Sequence, residues 1–452
     1  MSKLPIFAVG SNLLLAGLQP ALFLSGVSNG QALDLSPYRV DSLSLALGVT
    51  CAVAAALAST LSLTTSHRWS GFSALAISIC MLNVVYAREM WWLYIWLEIG
   101  ALVLWMSFRP LSHGVRQVPS FVLYLSGLPL LLVVLLGQAK SFAPPAGGVT
   151  QPWPLIGVIA FGVVMLRSAS LVVLGLRDMN GGNPHNVGNE ALAGLYVLFM
   201  PALLARALVA APWEPVGTWT LALLGTIGLL GAIGTAVFSF KRTRAAALAF
   251  ALASLATIAF GLAPGSPLAA AGGLAVMLAG SLCVPLAVAG IWGQYRAFIL
   301  LMGAFAGLWL ISQAALNMGY GVVTALTLPC LLALTVVLSR NETLKDIRSM
   351  AAIASGSLIA LILIIGATYP QIVVQMVLRP AVQTMAGGVP ALSTLRVDPG
   401  VGLLVLAPQG TILASLPATG IAVAVLLTFV TLYWLKKLLM RFARIQTEAP
   451  AE

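Results

Sequence analysis

Fourteen apolar runs, each long enough to cross about 30 Å of hydrocarbon, follow one another along this chain. They lie near 5–24, 42–64, 71–87, 91–108, 119–137, 152–177, 189–212, 217–239, 244–263, 267–291, 297–316, 319–339, 351–372 and 416–435. Inside a bilayer no water is at hand to bond an exposed backbone, so each run is read as a helix that satisfies its own N–H and C=O groups. The pattern predicts an all-α polytopic membrane protein of about 14 transmembrane helices, with a broken helix near 163–190. Charged residues are 8% of the chain, against about 25% in soluble proteins. Mean hydropathy is +1.01. A water-soluble core is excluded. The first run is followed by many others and is read as a spanning helix rather than a leader to be removed.

Basic residues orient the spans. With both termini cytoplasmic, 16 Lys and Arg fall on inside segments and five (Arg39, Arg88, Lys140, Arg379 and Arg396) on outside loops. That bias follows the positive-inside rule. It also accounts for the net charge of +11 without nucleic acid. An even number of spans returns the C-terminus to the starting side, the cytoplasmic face of a cell's inner membrane. Residues 1–37 hold the first helix and a loop, 38–350 a core, and 351–435 the last helices. Within the last region, 373–415 reads as a long, weakly polar outside connection. Residues 436–452 form a basic tail.

Ionisable groups at membrane depth are functional candidates by default, because burying them is costly. Glu98 lies in "WWLYIWLEIGALVLW" and Arg167 in "VVMLRSASLVVLGL", both deep in their runs. Each also has a plain reading, as half of a static salt bridge joining two helices. Glu190 begins the seventh run, where a carboxylate favours a helix N-terminus. Arg206 lies toward the end of that run, close enough to the interface to snorkel. His185 sits in the Gly- and Asn-rich break "GLRDMNGGNPHNVGNEALAG" and is placed to relay protons, or is an ordinary loop histidine. None of the six lysines falls in a deep span. Buried lysine is the usual cationic proton carrier, whereas arginine stays charged and serves as a fixed counter-ion. The four cysteines lie inside apolar runs without metal-ligand spacing, and read as small buried residues. No haem, iron–sulfur or other cofactor site, and no catalytic redox site, is visible.

These pieces, in this order, resemble the antiporter-like subunits of NADH:quinone oxidoreductase (complex I), Mrp-type sodium/proton antiporters and membrane-bound hydrogenases. The resemblance covers about residues 38–250. "YRVDSLSLALGV" resembles the family's "DxLSLxxxxL" opening. "FSALAISICMLNVVYAREMWWLYIWLEIGALVLWMSF" is similar to the helix pair that ends in a buried glutamate, here Glu98. "LRSASL" resembles "GKSAQL" and sets Arg167 on the lysine that pairs with it. "NPHNVGNEALAGLYVLFMPALLARAL" is similar to "APTPVSALLAGxLLKxGxYGLLR", with Arg206 on the terminal arginine. "FKRTRAAALAFALASLATIAFGL" resembles "DLKRxLAYSSISQxG", with Lys241 on the lysine.

The departures are specific. Leu198 stands where the family has a central lysine or histidine, and Ser239 where it has the aspartate before the lysine. "VVLGLRDMNGG" replaces "PLHxWLPDAH". The distal charged residue falls near Gln313 and Asn317, or in a rival register at Gln294 and Arg296. The resemblance implies a 14-helix antiporter-like fold with no cofactor of its own. It also implies partner membrane subunits in a multi-subunit, redox-driven complex that carries a peripheral module. Protons or Na⁺ would pass along a buried charged row in which Arg167 holds Glu98 ionised and their separation invites protonation. The gaps at Leu198 and in the lysine row keep a second reading open, that of a structural or coupling subunit that conducts nothing. A solitary secondary transporter is a third, and no sequence feature specifies its substrate.

Overall fold

A computed structural model describes residues 4–26, 32–62, 68–107, 131, 187–210, 215–238, 244–289 and 307–320, together with short pieces between 357 and 417 (357–358, 361–363, 373–385, 395–398, 403–406 and 414–417). It is mostly helical. In chain order the helices are α1 (Leu4–Gly26), α2 (Ser42–Ser62), α3 (Arg68–Tyr86) and α4 (Met90–Ser107). Then follow α5 (Val187–Phe199), α6 (Ala202–Ala210), α7 (Pro215–Phe238), α8 (Arg244–Leu262), α9 (Pro267–Ala289) and α10 (307–317). Seven of these run 18 to 24 residues, about 27–36 Å at 1.5 Å per residue. Their ends lie within three residues of the apolar runs read from the sequence. Among the described residues two stretches, Ser42–Thr60 and Pro267–Leu286, are long and apolar enough to cross a membrane by length and composition.

The centre of the bundle is α5. It touches α2, α3, α4, α8 and α9, and every residue from 191 to 199 is buried. A helix apolar all round belongs inside. Small residues set its neighbours' distances. A Cβ on Gly194 of α5 would stand 2.6 Å from Val284 Cγ1 of α9. Between α9 and α10 the contact is with backbone rather than side chain, because a Cβ on Gly272 would meet the Gly307 carbonyl oxygen at 2.9 Å. Such small-residue contacts are the usual way apolar helices approach where no hydrophobic force drives them together. A buried polar tie joins the first three helices. Asn12 of α1 donates through Nδ2 to Ser59 Oγ of α2 at 3.4 Å, and Ser78 Oγ of α3 donates to Asn12 Oδ1.

Three features go beyond a plain row of spanning helices. First, residues between α1 and α2 form a two-stranded hairpin, β1 (Leu33–Leu35) and β2 (Tyr38–Val40), paired Leu33↔Val40, Asp34↔Arg39 and Leu35↔Tyr38. The alternation puts Leu33, Leu35, Tyr38 and Val40 on one face and Asp34 and Arg39 on the other. The hairpin docks on the corner after α3, where the Arg88 amide donates to the Pro37 carbonyl at 3.0 Å. Second, the segment 373–415, expected to be a weakly polar connection, is structured where it is described. A π-helical turn (Val374–Leu378) leads into α11 (Arg379–Thr384), which packs on α2 and α9. Beyond it β3 (Leu395–Asp398), β4 (Leu403–Leu406) and β5 (Ala414–Pro417) form an antiparallel sheet.

Third, the seventh run is broken at Met200–Pro201, between α5 and α6. Proline has no N–H to give and its ring clashes with the preceding turn. The chain closes the gap with shorter bonds, Met200 N–H to Val197 C=O and Leu203 N–H to Met200 C=O. Among the described residues this is the break within a run; residues 163–186 of the expected break lie outside them.

Candidate functional site

The break at Pro201 aims α6 across the ends of α2 and α3, and Arg206 follows from that placement. It is the largest fully buried side chain among the described residues, 1% exposed. The expectation that it snorkels toward the interface is therefore corrected. Arg206 turns inward because a partner stands there. Its Nη1 donates to Asp41 Oδ2 at 2.6 Å. Nε and Nη2 both donate to the Val85 carbonyl, at 3.2 and 2.8 Å. Val85 is among the last residues of α3, whose terminal carbonyls have no partner within the helix.

Asp41 is 2% exposed and stands one residue before α2. Its Oδ1 accepts the Ser44 amide at 2.7 Å, while Ser44 Oγ accepts the Asp41 amide at 2.8 Å. This is a reciprocal N-cap, the cheapest way to satisfy two orphan amides at once. The anion therefore sits at a helix N-terminus and the cation at a helix C-terminus, each favoured by the local dipole. Burial by itself pushes the Asp41 carboxyl up. The Arg206 charge, its hydrogen bond and those from Ser44 outweigh that, and the carboxyl lies below the usual carboxylate range.

Outward from this pair the charges alternate. Arg39 Nε lies 3.4 Å from Asp41 Oδ2 and 4.0 Å from Asp34 Oδ1. Arg88 Nη1 lies 3.9 Å from Asp34 Oδ2. The chain Arg206–Asp41–Arg39–Asp34–Arg88 runs from the buried core to a half-exposed rim. Asp41 was absent from the residues singled out by sequence. Its signal was there, an acid directly before an apolar run with a serine three residues on.

Glu98 lies on α4 and is half-buried. That helix exposes Trp91, Ile95, Ile99, Leu102 and Met106, and buries Leu93, Leu97, Ala101 and Leu104. Glu98 stands at the border of the two faces. One residue away, the Leu97 carbonyl accepts the Tyr196 hydroxyl of α5 at 2.7 Å. Gly100 makes room for that ring, since a Cβ there would lie 2.8 Å from Tyr196 Cε2. Leu198, two residues on, is fully buried and lies with Leu252 against Gly280 of α9. Gln313 is half-buried on α10. Glu190 is the fourth residue of α5, in its first turn, and its side chain lies outside the described residues. Arg167, His185 and Lys241 lie outside them too. Of the seven candidates, then, Glu98, Arg206 and Gln313 have described side chains; Arg206 is drawn into a buried network with Asp41. Cys51, Cys80 and Cys283 are buried free thiols, as expected. Among the described residues no group of three His, Cys, Asp or Glu could hold a metal ion.

The fold has solved counterparts. A chain of the respiratory complex I from Thermus thermophilus matches with a TM-score of 0.66 at 17% identity, over 85% of this chain and 95% of that one. A chain of the Mrp complex from Dietzia sp. DQ12-45-1b matches with a TM-score of 0.64 at 13% identity, over 99% of this chain. The present chain spans 57% of that Mrp chain's length. The chain has the antiporter-like subunit fold. The same fold occurs in the archaeal membrane-bound sulfane sulfur reductase, a respiratory membrane complex, with a TM-score of 0.64 at 16% identity, over 94% of this chain and 79% of that one. No family model and no curated protein matches the sequence. The antiporter-like fold is thus retained where sequence identity is low, in keeping with a core held by helix packing rather than by particular side chains.

Proposed function

We propose that this chain is a proton- or Na⁺-translocating membrane subunit of a larger, redox-driven complex. It spans a cell's inner membrane with about 14 helices, both termini cytoplasmic, and sits beside other membrane subunits and a peripheral redox module. The carrying observation is that a chain with the antiporter-like fold keeps a carboxylate, Glu98, half-buried on the apolar helix α4 beside the central helix α5. In this reading Glu98 is the proton-bearing group and Arg167 its fixed counter-charge, and movement of one relative to the other changes the protonation of Glu98. Arg206 belongs to the framework that holds α2, α3 and α6 in place. Lys241, His185, Glu190 and Gln313 are further members of the path.

One observation favours a second reading. Leu198 is fully buried against apolar neighbours, where an uninterrupted charged row would need a titratable group. A chain so built docks and couples its neighbours without conducting.

Proton flux decides between them. The purified chain, with the subunits that co-purify, is reconstituted in liposomes and driven by a pH gradient. In the conducting subunit Glu98→Gln abolishes flux and leaves the melting temperature unchanged. An assembled Glu98→Gln protein that conducts like wild type overturns the assignment of Glu98. Absence of flux in both, with partners attached, selects the coupling role.

A further inference from the structure

Two arginines compete for one oxygen of Asp41. Oδ1 serves the helix cap and accepts the Ser44 amide at 2.7 Å. Oδ2 is left for cations, and Arg206 Nη1 holds it at 2.6 Å. Arg39 Nε lies 3.4 Å from the same oxygen and 4.0 Å from Asp34 Oδ1. This Nε is buried and has no hydrogen-bond partner among the described residues. A buried N–H left unbonded is destabilising. A shift of about half an ångström toward Oδ2 would bring it into the usual N–H···O range.

The two cations sit on different elements. Arg206 belongs to α6, nine residues joined to α5 by the break at Pro201, and a proline break is where a helix bends. Arg39 belongs to β2 of the hairpin, which the Arg88 amide pins to the corner after α3 through the Pro37 carbonyl. Farther out, Asp34 stands between Arg39 and Arg88, at 4.0 and 3.9 Å. Three cations alternating with two anions admit two pairings. In this structure Asp41 bonds Arg206, and Arg88 at the half-exposed rim is held loosely. In the other pairing Arg39 closes on Asp41, Arg88 closes on Asp34, and Arg206 is released. Neither pairing leaves the buried anion alone. Without Arg39, release of Arg206 would strand Asp41 as an uncompensated buried charge, which is the costly outcome.

We propose that Arg39 is a reserve counter-ion for Asp41, and that the hairpin and α6 form a two-position latch. When α6 pivots at Pro201 and carries Arg206 away, Arg39 takes Oδ2. The latch exchanges partners without moving a proton, and it stands whether or not the chain conducts ions.

The test is hydrogen–deuterium exchange of the α6 amides, read by mass spectrometry on the full chain with its co-purifying subunits. The buried helix α9 is the reference. Opening breaks the bonds from Arg206 to the Val85 carbonyl in every variant, so differences between variants report on Asp41. Arg39→Gln should slow α6 exchange by at least about tenfold, because an opened α6 would now strand Asp41. Asp34→Asn, at a position 42% exposed, should speed it, because Arg39 loses its outer partner and turns fully to Asp41. A static brace has the opposite sign for Arg39→Gln, since removing a brace loosens what it holds. Exchange that is faster or unchanged in Arg39→Gln, or slower or unchanged in Asp34→Asn, overturns the proposal. So do wild-type α6 amides that exchange no faster than those of α9, since no open position is then populated. The wild-type and Asp34→Asn measurements decide it even if Arg39→Gln fails to fold.

Discussion

Asp41→Asn isolates the buried ion pair. Asparagine caps a helix about as well as aspartate, so the bond from the Ser44 amide survives and only the charge is lost. Arg206 stays buried with the Val85 carbonyl as its remaining hydrogen-bond partner among the described residues. Breaking a buried pair by removing one partner costs about 3–5 kcal/mol, because the other charge is left uncompensated; an exposed pair is worth about 0–1 kcal/mol. Side chains 2% exposed on both sides put this pair in the first class. The assay is unfolding of the detergent-solubilised protein by increasing sodium dodecyl sulfate, followed by far-UV circular dichroism. Asp41→Asn combined with Arg206→Met should be more stable than Asp41→Asn alone, since the orphaned charge is gone. The pH profile gives a second reading. The folded carboxyl lies below its ordinary value, so its stabilisation is fully present above the unfolded pKa of about 3.9. It is lost as pH falls through the lower, folded value. Wild type should hold its stability down to about pH 4 and then decline, and Asp41→Asn should lack that acid limb. An Asp41→Asn protein within about 1 kcal/mol of wild type, with its acid limb intact, would refute the reasoning.

Gly272→Ala should lower stability by about 1–3 kcal/mol, because its Cβ meets backbone atoms of Gly307 and Ile311 at 2.9 and 3.0 Å. The control Gly234→Ala, with nothing within 4 Å, should be neutral or slightly stabilising in the same unfolding titration. Tyr196→Phe removes the bond to the Leu97 carbonyl and should cost about 0.5–1.5 kcal/mol. If that bond also holds α4 in register for Glu98, the variant's proton flux should drop by more than its stability explains. Both are checked on one liposome preparation.

Helix positions were legible because they are local. An apolar run must satisfy its own backbone, so its length and ends follow from residues close in sequence, and α2, α4 and α9 fall where the runs do. The cap at Asp41 and the break at Pro201 are local too, and were readable from Asp-x-x-Ser and from a proline inside an apolar run. The hairpin was harder: three-residue strands carry too little alternation to stand out beside 20-residue helices, and their pairing is fixed by docking on the corner after α3.

What the sequence by itself determined is the solvent of this chain and its helical class, since an 8% charged, strongly apolar polymer can close its hydrogen bonds only within itself. What only the tertiary structure decided is where its few polar groups meet. Arg206 finds Asp41 across 165 residues, and Gln19 finds Tyr86 across 67. A charge near the end of an apolar run is equally consistent with snorkelling outward or pairing inward; the choice depends on which helix ends the fold brings beside it. Here a proline turned α6 across the N-terminus of α2 and the C-terminus of α3, and the anion and carbonyl waiting there drew the arginine in.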